Sequence, residues 1–213
     1  WLPTATITWN FIPEMQFRVN ASKTIARPQF RELLFQSYFD PDSNRQYQGN
    51  PLLTDSKLTN AEARWEWYFA PEQRLSLAGF FKKIDRPIET YITGGNEIIT
   101  SFANAPSADL YGAEFEVQKY FDLSRWGGGF LESRRLVLIG NYTYTEFKLK
   151  VGPDDTVAVF GAFSTIASDY FRDGSQLTGQ SKHIANVQIG LEDQDRLSQQ
   201  TILLTYASKR VVS

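Results

Sequence analysis

The sequence contains no cysteine, one histidine and one methionine, and its charges nearly cancel to a net charge of −2. Without cysteine, a disulfide framework and thiolate metal sites are excluded. The balanced charge offers no basic surface for a nucleic acid, so we predict no nucleic-acid partner. No apolar run approaches the ~20 residues of a membrane helix. No GxSxG, HExxH or P-loop motif occurs, so nothing indicates an enzyme, a bound metal or a cofactor.

Aromatic residues are abundant instead. They make up 15% of the 213 residues, with 16 Phe, 10 Tyr and 5 Trp, although the mean hydropathy is only −0.35. A soluble protein must bury that much ring surface. A transmembrane β-barrel displays it to lipid on every second residue, which keeps the mean hydropathy low. The composition therefore leaves open both a membrane barrel and a soluble β-sandwich.

Polar and apolar residues alternate along about eight segments of the chain. The clearest is AEARWEWYF, in which Trp65 and Trp67 alternate with Glu62, Arg64 and Glu66. This period of two predicts β-strands. The segments are ~9 to 13 residues long, which exceeds the usual strand of a globular protein and suits a tilted membrane span.

The two sides of these predicted strands differ in chemistry. We predict that the apolar side faces lipid, with Trp9, Trp65, Trp67, Phe115, Val187 and Leu204 among its members. We predict that the charged side lines a watery interior, with Glu62, Arg64, Glu66, Glu114 and Glu116. These mixed charges serve to hydrate the interior and to pair across strands.

The connections between the segments alternate between short and long. Short turns occur at IPEM, APEQ and EDQDR, and a middling one at DLSRWGGGFLESRR. Long connections cover 26–53, which has no clear period, 86–108 and 150–179. Outer-membrane barrels have tight periplasmic turns and extended outer loops. We therefore predict an all-β, antiparallel, up-and-down transmembrane β-barrel, here a fragment of about eight strands with long extracellular loops.

The long loops hold the candidates for ligand contact. Arginine suits anionic ligands such as carboxylates through bidentate hydrogen bonds, whereas aromatic rings suit stacking on sugars, so the loops do not decide the class of ligand. The candidates are Arg31, Tyr38, Arg45, Tyr47, Asn96, Asn104, Asp155, Asp169, Tyr170 and Arg172.

The single histidine offers the one enzyme alternative. His183 lies near Ser181 and Asn186 in the sequence, and a His with Ser and Asn on a barrel exterior could form a phospholipase site. A lone histidine at a strand start near the membrane surface is far more often structural, so we predict no catalytic residue.

Several segments, taken in order, resemble the C-terminal barrel part of TonB-dependent outer-membrane receptors. One segment resembles the family's S-x-T-x-A-R-P strand and the loop after it, another the G-N-P-x-L loop end, and a third the E-W-Y-F-x-P turn. These and the later matching segments are NASKTIARPQFREL, FDPDSNRQYQGNPLL, EWYFAPEQRLSLAGFFKKIDRPIE, YGAEFEVQK, LTGQSKHIANVQIGLE and TYASKRV. Their joint order is specific, although each motif alone is weak.

The resemblance implies the function and the partners. It implies a barrel of about 22 strands, of which residues 1–213 hold about a third, without the plug domain and the final strands. It implies uptake of siderophore-iron, haem, cobalamin or a glycan across the bacterial outer membrane. The expected partners are outer-membrane lipid, the plug and remaining strands, the TonB complex acting through the plug, and a small-molecule ligand. A passive outer-membrane barrel and a soluble β-sandwich binding module remain the alternatives.

Overall fold

The computed structural model describes residues 1–41, 43–93 and 98–211, and β-strands dominate it. The strands are β1 (Thr4–Ile12), β2 (Met15–Ala26), β3 (Ser37–Asp40), β4 (Arg45–Gln48), β5 (Ser56–Ala70), β6 (Gln73–Asp85), β7 (Ile88–Thr93), β8 (Ile99–Asn104), β9 (Ser107–Asp122), β10 (Arg134–Lys150), β11 (His183–Asp193) and β12 (Ser198–Ala207). The helical elements are α1 (Phe30–Leu33) and two 3₁₀ turns at Ser124–Trp126 and Ala167–Asp169. Across the described ranges, no helix is long and apolar enough to cross a membrane.

Eight strands form one antiparallel sheet in the order β1-β2-β5-β6-β9-β10-β11-β12. Each pairs with the next long strand along the chain, which makes the sheet an up-and-down meander. Its connections are short at one end and long at the other, where they span 27–55, 86–106 and 151–182. The predicted all-β antiparallel architecture is confirmed. The sheet is open, because β1 and β12 stand at its edges.

Residue alternation gives this sheet an apolar face and a polar face. The cross-strand register aligns one apolar row as Trp9, Phe17, Trp65, Leu77, Phe115, Tyr142, Ala185 and Tyr206. The adjacent polar row is Asn10, Gln16, Glu66, Ser76, Glu116, Asn141, Asn186 and Thr205. A slip of one residue would move every aromatic ring to the polar face, so the pattern itself fixes the register.

The apolar face carries no second layer of protein among the residues that the structure describes. Leu77 is 48% exposed and Trp67 and Phe115 are each 38% exposed, although all three lie on interior strands. In a β-sandwich, the inner faces of two sheets interdigitate and bury such side chains. The soluble β-sandwich considered from the sequence is therefore wrong.

A second sheet forms within the long loops, in the order β3-β4-β8-β7. β4 of the 27–55 loop pairs in parallel with β8 of the 86–106 loop, through Gln46–Ile99 to Gln48–Ser101. The 26–53 stretch, which has no clear period in the sequence, thus contains two short strands. The strands of this second sheet have four to six residues, so none is long enough to show a period, and their pairing joins distant parts of the chain.

The main buried core lies at the long-loop end and not within the long strands. It joins Tyr91 and Ala103 of the second sheet to Phe171 and Leu177 of the 151–182 loop. The upper part of β9 and β10 contributes Ala108, Phe147 and Leu149, of which Phe147 is 1% exposed and Leu149 2%. These three belong to the polar face of the large sheet. The loops therefore fold over that face.

Candidate ligand-binding site

Buried Asn50 joins the first long loop to the third. Its Nδ2 donates to the Ala158 carbonyl at 2.8 Å, and its Oδ1 accepts from Phe160 N at 3.3 Å and Leu52 N at 3.1 Å. Gly49 beside it donates its N–H to the Leu34 carbonyl at 2.9 Å. A Cβ on Gly49 would lie 2.5 Å from that oxygen, so only glycine fits. The G-N-P segment thus holds the two loops together.

Buried Glu89 joins the second long loop to the third. Its Oε2 accepts hydrogen bonds from Thr178 N at 3.0 Å and from Thr178 Oγ1 at 2.8 Å. Burial raises the pKa of this carboxyl, and the two bonds from Thr178 partly oppose that rise. With β4 paired to β8, the three loops are connected pairwise.

These connections leave a cavity of about 540 Å³ between the second sheet and the 151–182 loop. Its volume lies within the range of small-molecule sites. Aromatic rings dominate its walls: Phe35 meets Phe160 edge to face at 4.6 Å, and Tyr91 meets Tyr170 likewise at 5.0 Å. Phe163 stands at the cavity, fully exposed to solvent.

Hydroxyl, amide and carboxylate groups complete the lining. Ser164 Oγ donates to Asp169 Oδ2 at 2.5 Å, and Tyr170 Oη donates to the Ser164 carbonyl at 2.7 Å. Gln48 and Ser101 project from the second sheet. Burial raises the pKa of the Tyr91 phenol, opposed by a hydrogen bond with Ser101. Tyr91 therefore remains a neutral hydrogen-bonding group at physiological pH.

The structure places the predicted ligand residues that line cavities at three different cavities. Asp169 and Tyr170 line the large cavity. Arg31, Tyr38 and Tyr47 meet instead in a cleft of about 160 Å³ on the other face of the second sheet. There, Tyr38 stacks on Tyr47 at 5.8 Å and Tyr47 on Phe102 at 5.9 Å, and burial raises the pKa of Tyr38.

Asn104 lines a third cavity of about 620 Å³ together with Arg86, and the remaining described candidates line none of the three cavities. Asn104 connects the first long loop to the second. Its Oδ1 accepts a hydrogen bond from Thr54 N at 2.8 Å, and its Nδ2 donates one to the Arg86 carbonyl at 2.9 Å. Asp155 closes a turn by accepting from Gly152 N at 2.7 Å. Arg45 begins β4 opposite Asp40, and Arg172 is exposed beside the buried core. Asn96 lies outside the described residues.

The residues predicted to line the interior share the polar face and form ion pairs. Arg64 bonds Glu62 and Glu114, both at 2.9 Å. Glu66 lies 3.4 Å from Arg18, and Glu116 pairs with Arg74. Each carboxylate has a cation beside it, which agrees with a structural role for these charges.

The residues predicted to face lipid all lie on the apolar face. Trp9, Trp65 and Phe115 share one cross-strand row. Trp67 lies in the next row, with Val187 and Leu204. The two faces are thus cleanly separated, and contact with lipid stays a prediction.

His183 contacts two tyrosines, and its contacts differ from those of Ser181 and Asn186. Its Nδ1 lies 2.7 Å from Tyr142 Oη on the apolar face, and its ring packs on Tyr144. Ser181 donates instead to the Ser208 carbonyl, and Asn186 bonds Asn141 on the polar face. No group of three or more acidic or histidine side chains among the described residues is arranged to hold a metal ion.

Sequence reasoning missed most of the cavity. Phe35, Gln48, Tyr91, Phe160 and Phe163 line it but were not predicted. The run VFGAF at 159–163 was an available signal, because two phenylalanines flank a glycine within a polar loop. Their partners on the second sheet could not be found this way, since only the fold brings them near.

The sequence matches the family described as TonB dependent receptor-like, beta-barrel, over residues 1–211. No curated protein is significantly similar to it.

Several solved structures share the fold. The ferric enterobactin receptor PfeA of Pseudomonas aeruginosa, a mutant in complex with enterobactin, is 16% identical with a TM-score of 0.57, and the match covers 99% of this chain and 28% of that chain. The siderophore receptor PirA of Pseudomonas aeruginosa is 15% identical with a TM-score of 0.56, and the match covers 97% of this chain and 34% of that chain. The Serratia marcescens hemophore receptor HasR, in complex with its hemophore HasA and heme, is 15% identical with a TM-score of 0.61. That match covers 97% of this chain and 32% of that chain. The chain thus spans between 28% and 34% of these proteins, and the identities show the fold alone.

Proposed function

The chain belongs to the TonB-dependent receptor β-barrel family, and we propose that it is a wall segment of an outer-membrane receptor that imports a scarce small-molecule nutrient. Members of this family are transport receptors of the outer membrane and not enzymes. The proposal extends that role to the whole protein of which this chain forms a part.

The observation that carries the proposal is the separation of apolar and charged side chains onto opposite faces of the large sheet. An uncovered face of Trp, Leu and Phe lies back to back with a face of ion-paired Glu and Arg. This is the arrangement of a strand wall between lipid and a water-filled lumen. The long loops fold over the polar face, which supports its assignment as the lumen side.

The apolar band crosses the sheet obliquely. On β2 the apolar side chains of this face extend from Met15 to Ala21. The cross-strand row that contains Trp65 includes Phe17 of β2, which lies near the end of the strand next to the short turn. On β10 the apolar side chains of this face extend from Leu136 to Tyr144. The same cross-strand row includes Tyr142 of β10, which lies near the end of this apolar series closest to the long loop. Strands tilted in a membrane produce such a drift, because the band stays level while the strands lean.

The two sheet edges need partners. The large apolar side chains of β12, namely Ile202, Leu203, Leu204 and Tyr206, are at least 60% exposed. Unpaired backbone groups in hydrocarbon cost several kcal/mol each. We infer that further strands of the same barrel pair with β1 and β12, and that a plug domain fills the lumen and receives energy from the TonB complex.

Energised uptake can be tested with the full-length receptor. Cells of a Gram-negative host that produce it would be given ferric enterobactin, haemin and neutral oligosaccharides, with and without a protonophore. We expect at least one compound to accumulate and its accumulation to stop when the proton gradient collapses or when TonB is deleted. Accumulation that survives both treatments, or a steady open conductance of the purified receptor in planar bilayers, would instead support the passive barrel.

A further inference from the structure

We propose that the 540 Å³ cavity binds an uncharged, hydroxyl-rich ring compound, namely an oligosaccharide, and not an anionic iron chelate. The inference rests on the proposed function, because it assigns the nutrient that the receptor recognises. It follows from the charge of the cavity, the position of the loop arginines and the geometry of the aromatic rings.

The cavity lacks the charge that an anionic ligand needs. None of its lining residues within the described part of the chain is Lys, Arg or His, and its one ionisable carboxylate is Asp169. Recognition of carboxylate or catecholate oxygens depends on Arg or Lys, which supply charge-assisted hydrogen bonds. A lone carboxylate repels such ligands, whereas it accepts hydrogen bonds from sugar hydroxyls.

The three arginines predicted to contact ligand do not line the cavity, and Arg86 lines a separate cavity of about 620 Å³. Arg31 lies in the cleft of about 160 Å³, on the opposite face of the second sheet. That cleft is smaller than the usual range for a small-molecule site. Arg45 and Arg172 line none of these spaces. The arginines that favoured an anionic ligand in the sequence therefore do not line this cavity.

The aromatic rings match a sugar in both position and exposure. The C–H groups of a sugar ring pack against the electron-rich face of an aromatic ring. The two edge-to-face pairs, Phe35–Phe160 and Tyr91–Tyr170, hold rings at fixed angles on the walls. Phe163 has no protein over it, so a ligand that covered its ring would remove a large apolar surface from water.

Polar groups beside the rings complete the match. The Gln48 amide offers both donors and an acceptor. The Ser164 hydroxyl donates its proton to Asp169 and the Ser101 hydroxyl bonds Tyr91, so these two groups serve a ligand hydroxyl as acceptors. A few fixed polar groups among apolar walls are what orients a ligand in a pocket. Here those groups are neutral, except for Asp169, and they suit hydroxyls.

The test uses the full-length receptor in detergent micelles and isothermal titration calorimetry. The neutral probes are maltotetraose, xylotetraose and cellotetraose, and the anionic probe is ferric enterobactin. We expect a neutral probe to bind and ferric enterobactin to show no binding at this cavity. Phe163→Ala should weaken neutral binding by about three- to tenfold, the loss of one ring contact.

Two matched variants control the result. Phe130→Ala removes another exposed ring, 64% exposed in the 123–133 turn at the opposite end of the sheet, and should leave binding unchanged. Asp169→Asn keeps an oxygen acceptor for Ser164 and removes the charge. Neutral binding should then change by less than about twofold, whereas a cationic ligand would lose far more affinity.

The outcomes separate this inference from the proposed function. Binding of ferric enterobactin without any neutral probe, or of no probe at all, overturns the inference and leaves energised uptake untouched. Equal effects of Phe163→Ala and Phe130→Ala overturn the placement of the site. An oligosaccharide that binds at the cavity but enters cells despite a protonophore supports the inference and contradicts the proposed function.

Discussion

Buried polar side chains in the long loops connect one loop to another. Asn50 is 1% exposed and Glu89 7% exposed, and both bond the backbone of the 151–182 loop. A buried polar group that lost its partner would cost about 1–3 kcal/mol. These residues therefore decide how firmly the loops close around the cavity.

Replacing Asn50 with alanine should open the cavity wall formed by the 158–160 segment. The Ala158 carbonyl and the Phe160 N–H each lose a partner, so we expect a loss of about 1–3 kcal/mol of local stability. Hydrogen exchange of residues 158–164 in the full-length receptor measures it. Asn44→Gly is the control, because Asn44 is exposed and its φ of +54° suits glycine. Equal exchange in the two variants would contradict the role of Asn50.

Glu89 should make loop closure depend on pH. Burial raises the pKa of its carboxyl above the ordinary 4.5, so the closed loops hold a proton more readily than the open loops. Closure thus gains stability as the pH falls toward about 4.5 and loses it as the pH rises through the raised pKa. Glu89→Gln keeps an acceptor for Thr178 and removes this dependence.

The measurement is the exchange rate of the Thr178 amide in Glu89→Gln relative to the unmodified receptor at each pH. We expect slower exchange in the variant near pH 7.5 and a difference that disappears below about pH 4.5, where both side chains are neutral. Glu72→Gln, at an exposed short turn, should show no such trend. A ratio for Glu89→Gln that is constant across pH would refute the mechanism.

The long strands depend on glycine at one close approach. A Cβ on Gly112 of β9 would collide with the Tyr144 carbonyl and would lie 2.6 Å from Phe80 Cζ. Phe80 stands opposite Gly112 in the β6–β9 ladder. Its ring thus occupies the space that a side chain at position 112 would need.

Gly112→Ala should therefore impair folding of the barrel, and Gly79→Ala should not. Gly79 lies opposite Ala113 on the neighbouring strand, and the atom nearest to its added Cβ is 4.0 Å away. The heat-modifiable band of the folded barrel on SDS gels reports the folded fraction. We expect a clear decrease for Gly112→Ala only, and similar yields for the two variants would show that the backbone there can yield.

The sequence predicted the long strands and not the short ones, for a physical reason. A period of two is a local pattern. The segment AEARWEWYF therefore predicts β5, and which side chains share each of its faces, without any knowledge of the neighbouring strands. The parallel pairing of Tyr47 with Thr100 joins residues that no local pattern connects. The cavity depends on that pairing, which explains why Asp169 and Tyr170 were predicted but Phe35 and Tyr91 were not.

The whole molecule is organised around two solvents. Its apolar face remains uncovered, and its polar face is satisfied by ion pairs. The Trp65 row should therefore meet lipid when the barrel is complete. Trp65→Arg places a charge on that face, which costs about 2–4 kcal/mol near the bilayer midplane.

Insertion into lipid vesicles by the full-length receptor tests this assignment. We expect Trp65→Arg to reduce the inserted fraction more than Glu66→Leu, which alters the polar face of the same strand. Glu66→Leu leaves Arg18 and Gln16 without their carboxylate partner, so it also has some cost. A greater loss with Glu66→Leu would reverse the assignment of the faces.

The pairwise connection of the three long loops bears on how such receptors diversify. Asn50 holds the first to the third, β4–β8 pairing the first to the second, and Glu89 the second to the third. A graft of any one loop from a relative would arrive without its two counterparts. To transfer ligand specificity between receptors, protein engineering or natural recombination would therefore have to exchange all three long loops together.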